Sequence, residues 1–176
     1  MRDSARPDRP STTTVTTTSA ASSSNYTAGR DGAQIRYVVI HDMEGNYDGA
    51  ISWFKNPASQ VSAHYCIRSS DGDITQMVRE QDIGWHAGNW SYNKQSIGIE
   101  HEGYVEDPAQ WYTWSTYTSS ARLTRWLTLR HDIPVDRDHI AVDRAHRDEG
   151  VGRCGVVGEP GPAQGDLGAH PLRHPA

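Results

Sequence analysis

Two hydrophobic rhythms alternate through the middle of the chain. Residues 34–40 (QIRYVVI) form a β-branched run that follows the turn pair Asp31-Gly32 and breaks off at His41-Asp42, which predicts a buried strand ending in a histidine. From 48 to 54 the apolar positions Ala50, Ile51, Trp53 and Phe54 are interrupted by polar residues, which predicts a short helix closed by Asn56-Pro57. Residues 63–67 and 74–78 read as two strands around Ser70-Asp71-Gly72-Asp73, a hairpin turn sequence, so they are expected to pair antiparallel. Residues 96–100 (SIGIE) read as a fourth strand, in which Gly98 lets a neighbour approach closely. A long helix is predicted over 114–131 from the spacing of Tyr117, Ala121, Leu123, Trp126 and Leu127, with Pro134 as its stop. A last strand over 138–142 completes an α/β domain, a central mixed β-sheet flanked by helices.

The two ends follow neither rhythm. All aromatic residues lie between Tyr26 and Trp126, so core-forming material is concentrated in the middle. Eleven of the fourteen residues 11–24 are Ser or Thr, and residues 1–24 are therefore expected to be a disordered linker of the kind that precedes exported domains. The domain proper is expected over 25–143. Residues 144–176 hold seven Gly, four Pro and no aromatic residue, a tail that buries little apolar surface and is expected to be disordered.

Charge narrows the partners. A formal net charge of −5 without a basic cluster argues against nucleic acid and against an anionic membrane surface. No stretch has the apolar length of a membrane span, and no signal peptide is visible, so an extracellular or cell-wall location is expected from the linker composition alone. One core-bearing domain is expected to be monomeric. Cys66 reads as core, and Cys154 has no metal-knuckle partner.

Candidate chemistry comes from four segments. His41 stands where a buried strand meets polar sequence, either as a hydrogen-bonded strand end or as a site residue. Glu100 also ends a strand and is followed by His101 and Glu102, so a carboxylate and an imidazole emerge on alternate faces. His64 lies in an apolar strand, where a satisfied core histidine and a site role are both open. A loop that places Trp85, His86, Asn89 and Trp90 together suggests a ligand wall.

The strings YVVIHDMEG, ISWFKNPASQVSAHYCIRSSDGDITQMV, WHAGNW and SIGIEHEG, in this order, resemble the zinc-dependent N-acetylmuramoyl-L-alanine amidases related to bacteriophage amidases and to peptidoglycan recognition proteins. The resemblance covers about residues 26–140. It implies a hydrolase that cuts the amide between N-acetylmuramic acid and L-alanine in peptidoglycan, with zinc as cofactor, as in secreted cell-wall amidases and endolysins. It implies that His41 is a zinc ligand and that Glu100 is the general base or water-positioning carboxylate. His64, Trp85, His86 and Asn89 fall on positions implied to line the substrate groove. Zinc suits such chemistry because three protein ligands leave a fourth position for a water of lowered pKa.

The C-terminal part departs from that pattern. The family's second zinc histidine lies in a strand reading roughly H-I-I-G-H, and an ungapped alignment on His139-Ile140 puts Asp143 at that position, with His146 three residues further on. Glu159-Pro160-Gly161-Pro162 resembles the family's closing Asp-Pro-Gly-Pro, but the residues between are foreign to it. A frameshift near Ala141 is one expectation that accounts for the tail. A non-catalytic module that binds muramyl peptide is the alternative to an enzyme.

Overall fold

The computed structural model describes residues 15–142. In chain order its elements are β1 (Val15–Thr18), β2 (Tyr26–Thr27), β3 (Tyr37–Asp42), α1 (Tyr47–Lys55), β4 (Tyr65–Ile67), β5 (Ile74–Gln76), β6 (Ile83–Gly84), α2 (Trp90–Gln95), β7 (Ser96–His101), α3 (Pro108–Trp111), α4 (Trp114–His131) and β8 (Ile140–Val142). Six strands form one mixed sheet in the order β1-β5-β4-β7-β3-β8, and β2 pairs antiparallel with β6.

The centre of the sheet is the parallel ladder of β3 and β7, six matched pairs from Tyr37 opposite Ser96 to Asp42 opposite His101. Because side chains alternate across a strand, this register sorts them onto two faces. Val38, Tyr65, Ile67, Ile97 and Ile99 pack against Leu123, Trp126 and Leu127 of α4. On the other face Cys66, Met43 and Met77 pack with Tyr47 and Phe54 of α1. Cys66 is fully buried, as its apolar strand pattern implies.

The helices start and stop where their end groups find partners. The Asn46 side chain accepts the Gly49 N–H at the start of α1, and the chain leaves the helix at Asn56, as expected. Helix α4 covers the predicted 114–131, but it ends before Pro134 is reached. Asp132 turns into the left-handed region (φ 53°, ψ 40°) and donates its N–H to the Thr128 carbonyl, while Arg130 and His131 sit in the last turn, where the helix end favours positive charge. Strands β4 and β5 pair antiparallel across the predicted hairpin turn.

The linker expected over 1–24 needs correction in its second half. Val15–Thr18 forms an edge strand parallel to β5, and the chain continues alongside it, with Ser19 and Ala21 donating to the Gln76 and Met77 carbonyls. Ala21 and Asn25 are buried, and the Asn25 amide donates to the Phe54 and Asn56 carbonyls. Pairing to an open sheet edge needs backbone groups rather than apolar side chains, and Thr is a good strand former. Residues 1–14 and 143–176, which include Asp143, His146, Cys154 and the tail, lie outside the described residues. Among the described residues no helix is long and apolar enough to cross a membrane.

Candidate active site

His41 and Glu100 occupy one rung of the β3–β7 ladder, near the C-terminal ends of both strands. Register partners on neighbouring strands leave the same face of the sheet, and parallel strands lie about 4.8 Å apart, so the imidazole and the carboxylate start side by side. Both are buried, at 7% and 0% exposure. Cys66 of β4 is the next partner along that rung, and burial, followed by the Glu100 charge, pushes its thiol well above the usual range. It is a core residue rather than a nucleophile.

The third group arrives from the loop after β6. A Cβ built on Gly98 would lie 2.5 Å from His86 Cγ, so the close neighbour that this glycine admits is the His86 ring. His86 Nδ1 lies 2.9 Å from His41 Nε2, with the two rings edge to face at 5.1 Å. Its Nε2 lies 3.2 Å from Ser96 Oγ, which donates its own proton to the Tyr92 carbonyl at 2.6 Å. Asn93 Oδ1 accepts the N–H groups of both His86 and Ala87 and so holds the loop over the strand. Burial of the imidazole, reinforced by the neighbouring His41, holds the His86 pKa well below its ordinary value.

The four residues expected to line a groove do not stand together. His64 is fully buried behind His86, with ring centroids 5.6 Å apart. Its Nδ1 accepts the Gly98 N–H, and Arg30 Nη2 lies 2.8 Å from its Nε2. With no exposed surface it offers nothing for a ligand to touch, which corrects the groove expectation in favour of the core histidine. Burial and then the Arg30 charge bring its pKa down to about 3. Trp85 is half-buried and its indole N–H donates to Thr27 Oγ1, which joins β6 to β2. Asn89 is exposed and caps α2 by accepting the Tyr92 N–H.

Arg30 is the residue that sequence reasoning missed most plainly. Its guanidinium is buried against the carbonyls of Glu80, Lys94 and Ser96, and so ties the segment before β3 to both flanks of the His86 loop. Burial lowers its pKa to about 10. Nothing in a single arginine of a polar stretch announces such a role. Ser96 and Asn93 were equally silent.

A protein zinc site takes three or four donors around one point. Among the described residues no group of three or more His, Cys, Asp or Glu side chains could hold a metal ion. Two nitrogens on one tetrahedral zinc stand about 3.3 Å apart, given Zn–N distances of about 2.0–2.1 Å. The 2.9 Å between His41 and His86 is a hydrogen bond instead. The described residues thus bring no three donors together and do not make a zinc site by themselves, and Asp143 lies outside them. A cavity of about 1090 Å³ opens at the opposite end of the sheet, between Arg36, Glu80, Arg130 and His139, and none of His41, His86 and Glu100 lines it.

Comparison with known proteins bears on the family and the fold. A family model described as N-acetylmuramoyl-L-alanine amidase matches residues 31–161, a span that runs past position 143. The chain is 50% identical over 110 residues to N-acetylmuramoyl-L-alanine amidase A of Achromobacter lyticus, covering 62% of this chain and 59% of that protein. It is 28% identical over 159 residues to N-acetylmuramoyl-L-alanine amidase AmiD of Escherichia coli, covering 78% of this chain and 55% of that one. The chain thus spans little more than half the length of these relatives. Among solved structures, the catalytic domains of XlyA (TM-score 0.55, 20% identity, 72% of this chain and 82% of that one) and PlyG (0.58, 18%, 76% and 80%) share its fold. The family model matches well over half of the chain, and on that ground the chain belongs to the N-acetylmuramoyl-L-alanine amidase family.

Proposed function

We propose that this chain hydrolyses the amide that joins N-acetylmuramic acid to L-alanine in peptidoglycan, acting as a monomer at the bacterial cell wall. The observation that carries the reading is the His41–Glu100 rung, a buried imidazole and a buried carboxylate side by side at the C-terminal edge of the central ladder. Ligand sites in sheet-based α/β folds gather at such strand ends. Glu100 is the proton carrier in this proposal. Its carboxylate takes a proton from the water that attacks the amide carbonyl and returns it to the departing nitrogen, leaving a lactyl carboxylate and a free L-alanine amine. His41 presents an imidazole nitrogen beside it. Zinc is the cofactor that family membership favours. Because the described residues gather no group of three donors, the steps above run through Glu100 and are not routed through a metal.

The incomplete donor set also favours a second reading, a module that holds muramyl peptide without cutting it. One experiment separates the two. Purified protein is assayed for zinc content and for release of L-alanine-terminated peptides from peptidoglycan, alongside wall binding. Cleavage that falls by at least about 10²-fold in Glu100→Gln, with circular dichroism unchanged, is expected for the hydrolase. Wall binding with no cleavage in either protein would leave the binding module, and equal turnover in both would remove Glu100 from the mechanism.

A further inference from the structure

No run of the sequence is basic, yet folding gathers four arginines from three separated segments. Arg30 and Arg36 precede β3, Arg79 follows β5, and Arg130 stands in the last turn of α4. Among the described residues all four line the cavity of about 1090 Å³, against two carboxylates, Glu80 and Asp132. The wall thus carries a local positive excess on a chain whose formal net charge is −5. Ile35, Ile133 and Pro134 supply its apolar part, and low-dielectric walls focus the field of the charges set among them.

The arginines are held in place without being used up. A guanidinium has five N–H donors. Arg79 spends one on Asp82 at 2.7 Å and Arg130 one on Glu80 at 2.9 Å, in both cases from Nε, so the terminal nitrogens of each fork keep their donors. The Trp126 ring, whose centroid lies 5.0 Å from the guanidinium carbon, fixes Arg130 further. Glu80 also accepts from Tyr65 and His131, so its charge is already compensated. Arg30 backs the cavity from within the fold. It is buried, and among the described residues its hydrogen bonds run to backbone carbonyls and to the neutral His64 ring. The carboxylates that act on it through space, Asp82 and Glu80, are engaged by Arg79 and Arg130. A buried positive charge with no carboxylate in contact is costly, and an anion in the cavity would offset that cost.

We propose that this cavity is a second binding site, separate from the His41–Glu100 rung, for an oligoanion, a chain that carries two or more phosphate or carboxylate groups. Guanidinium forks pair with both kinds of group through two parallel N–H···O bonds. Arg36, Arg79 and Arg130 approach from three different segments, so they suit several anionic groups rather than one. A space at the upper end of the range for ligand pockets also takes a chain more readily than a single small ion.

The test is a titration of the full ¹⁵N-labelled chain, followed by ¹H–¹⁵N correlation at fixed ionic strength. Tripolyphosphate and tetraglutamate are the probes, with inorganic phosphate and acetate as their single-group counterparts. The tighter-binding of the two chains identifies the phosphate or the carboxylate source, and either one upholds the site. That chain is expected to move the amides of residues 33–36, 79–81 and 130–134, and to bind at least about tenfold more tightly than its counterpart, because several charge-assisted contacts act together. Arg36→Gln removes an exposed fork and is expected to weaken binding by at least about fivefold, while Arg122→Gln, at an exposed position of α4, is expected to change nothing. The proposal is overturned if neither chain binds, if chain and single group bind equally, or if Arg36→Gln binds like wild type. Shifts as large at Arg122 and Arg125 as around the cavity would overturn it as well.

Discussion

Adding one methyl group at Gly98 should disturb the site without touching any ionisable residue. The new Cβ of Gly98→Ala would stand 2.5 Å from His86 Cγ, 2.7 Å from Nδ1 and 2.8 Å from Cδ2, closer than Cβ contacts occur. The obstacle is the body of a ring clamped by Ser96 and Asn93, so it cannot swing away as the tip of a flexible chain would. Overpacking of this kind costs about 1–3 kcal/mol, and a lost His41–His86 hydrogen bond adds about 1 kcal/mol. A total of about 2–4 kcal/mol corresponds to a fall in Tm of roughly 6–16 °C for a domain of this size. Thermal and urea unfolding of Gly98→Ala and of Gly45→Ala measure it directly. Gly45 serves as the control, because its added Cβ would meet only the Met43 carbonyl at 3.6 Å, an ordinary contact. A Gly98→Ala protein within about 2 °C of wild type, with an unchanged His86 spectrum, would refute the claim that this glycine exists to seat the ring.

Burial would raise the Glu80 carboxyl, but hydrogen bonds from His131 and Tyr65 and the charge of Arg130 hold it down at about 2. A depressed carboxylate stabilises the fold above its unfolded pKa of about 4.5 and loses that contribution as pH falls toward 2, so Glu80→Gln should flatten unfolding free energy across this window by about 2–3 kcal/mol. His64 adds an acid-sensitive range at higher pH. Being neutral in the fold down to about 3, it takes up a proton only on unfolding between about pH 6.5 and 3, and His64→Gln should reduce the slope there by up to about 1.4 kcal/mol per pH unit. Removing residues 1–18 deletes β1, which should speed hydrogen exchange at the β5 amides by at least about tenfold while leaving the β3–β7 ladder protected. Equal exchange in the two chains would show that β1 contributes nothing to the sheet.

Much of this architecture is legible in the sequence because the two faces of the sheet impose different demands. The strands facing α4 need a continuous apolar set, and Val38, Ile40, Ile97 and Ile99 advertise it. The polar stops at His41 and Glu100 are equally plain as strand ends, but the strand pattern alone left a structural role open for both, and only the resemblance implied chemistry there. What stayed hidden is built from backbone or from single polar contacts. Strand β1 reads as low complexity because its pairing uses main-chain groups, and α2 (WSYNKQ) is too short for a period and is set by its Asn89 cap and by Ser96. His64 had two open readings, and its partners, Arg30 and the Gly98 amide, decided between them. Both come from segments that no local pattern joins.

The rung after His41–Glu100 is Asp42 opposite His101, the same two chemical types with strands exchanged and on the other face of the sheet. That second pair is committed elsewhere. Asp42 accepts from the Tyr112 hydroxyl and the Glu44 N–H, and His101 donates to the His41 carbonyl. A slip of β3 against β7 by one residue would therefore break up both acid–imidazole rungs and turn Val38 and Ile40 away from α4 at once. Misaligned molecules lose their core together with their chemistry, so a compact but miswired species has nothing to stabilise it. The fraction of chains that refold with the His41–Glu100 rung formed should track the fraction of native core, with no miswired folded pool between them.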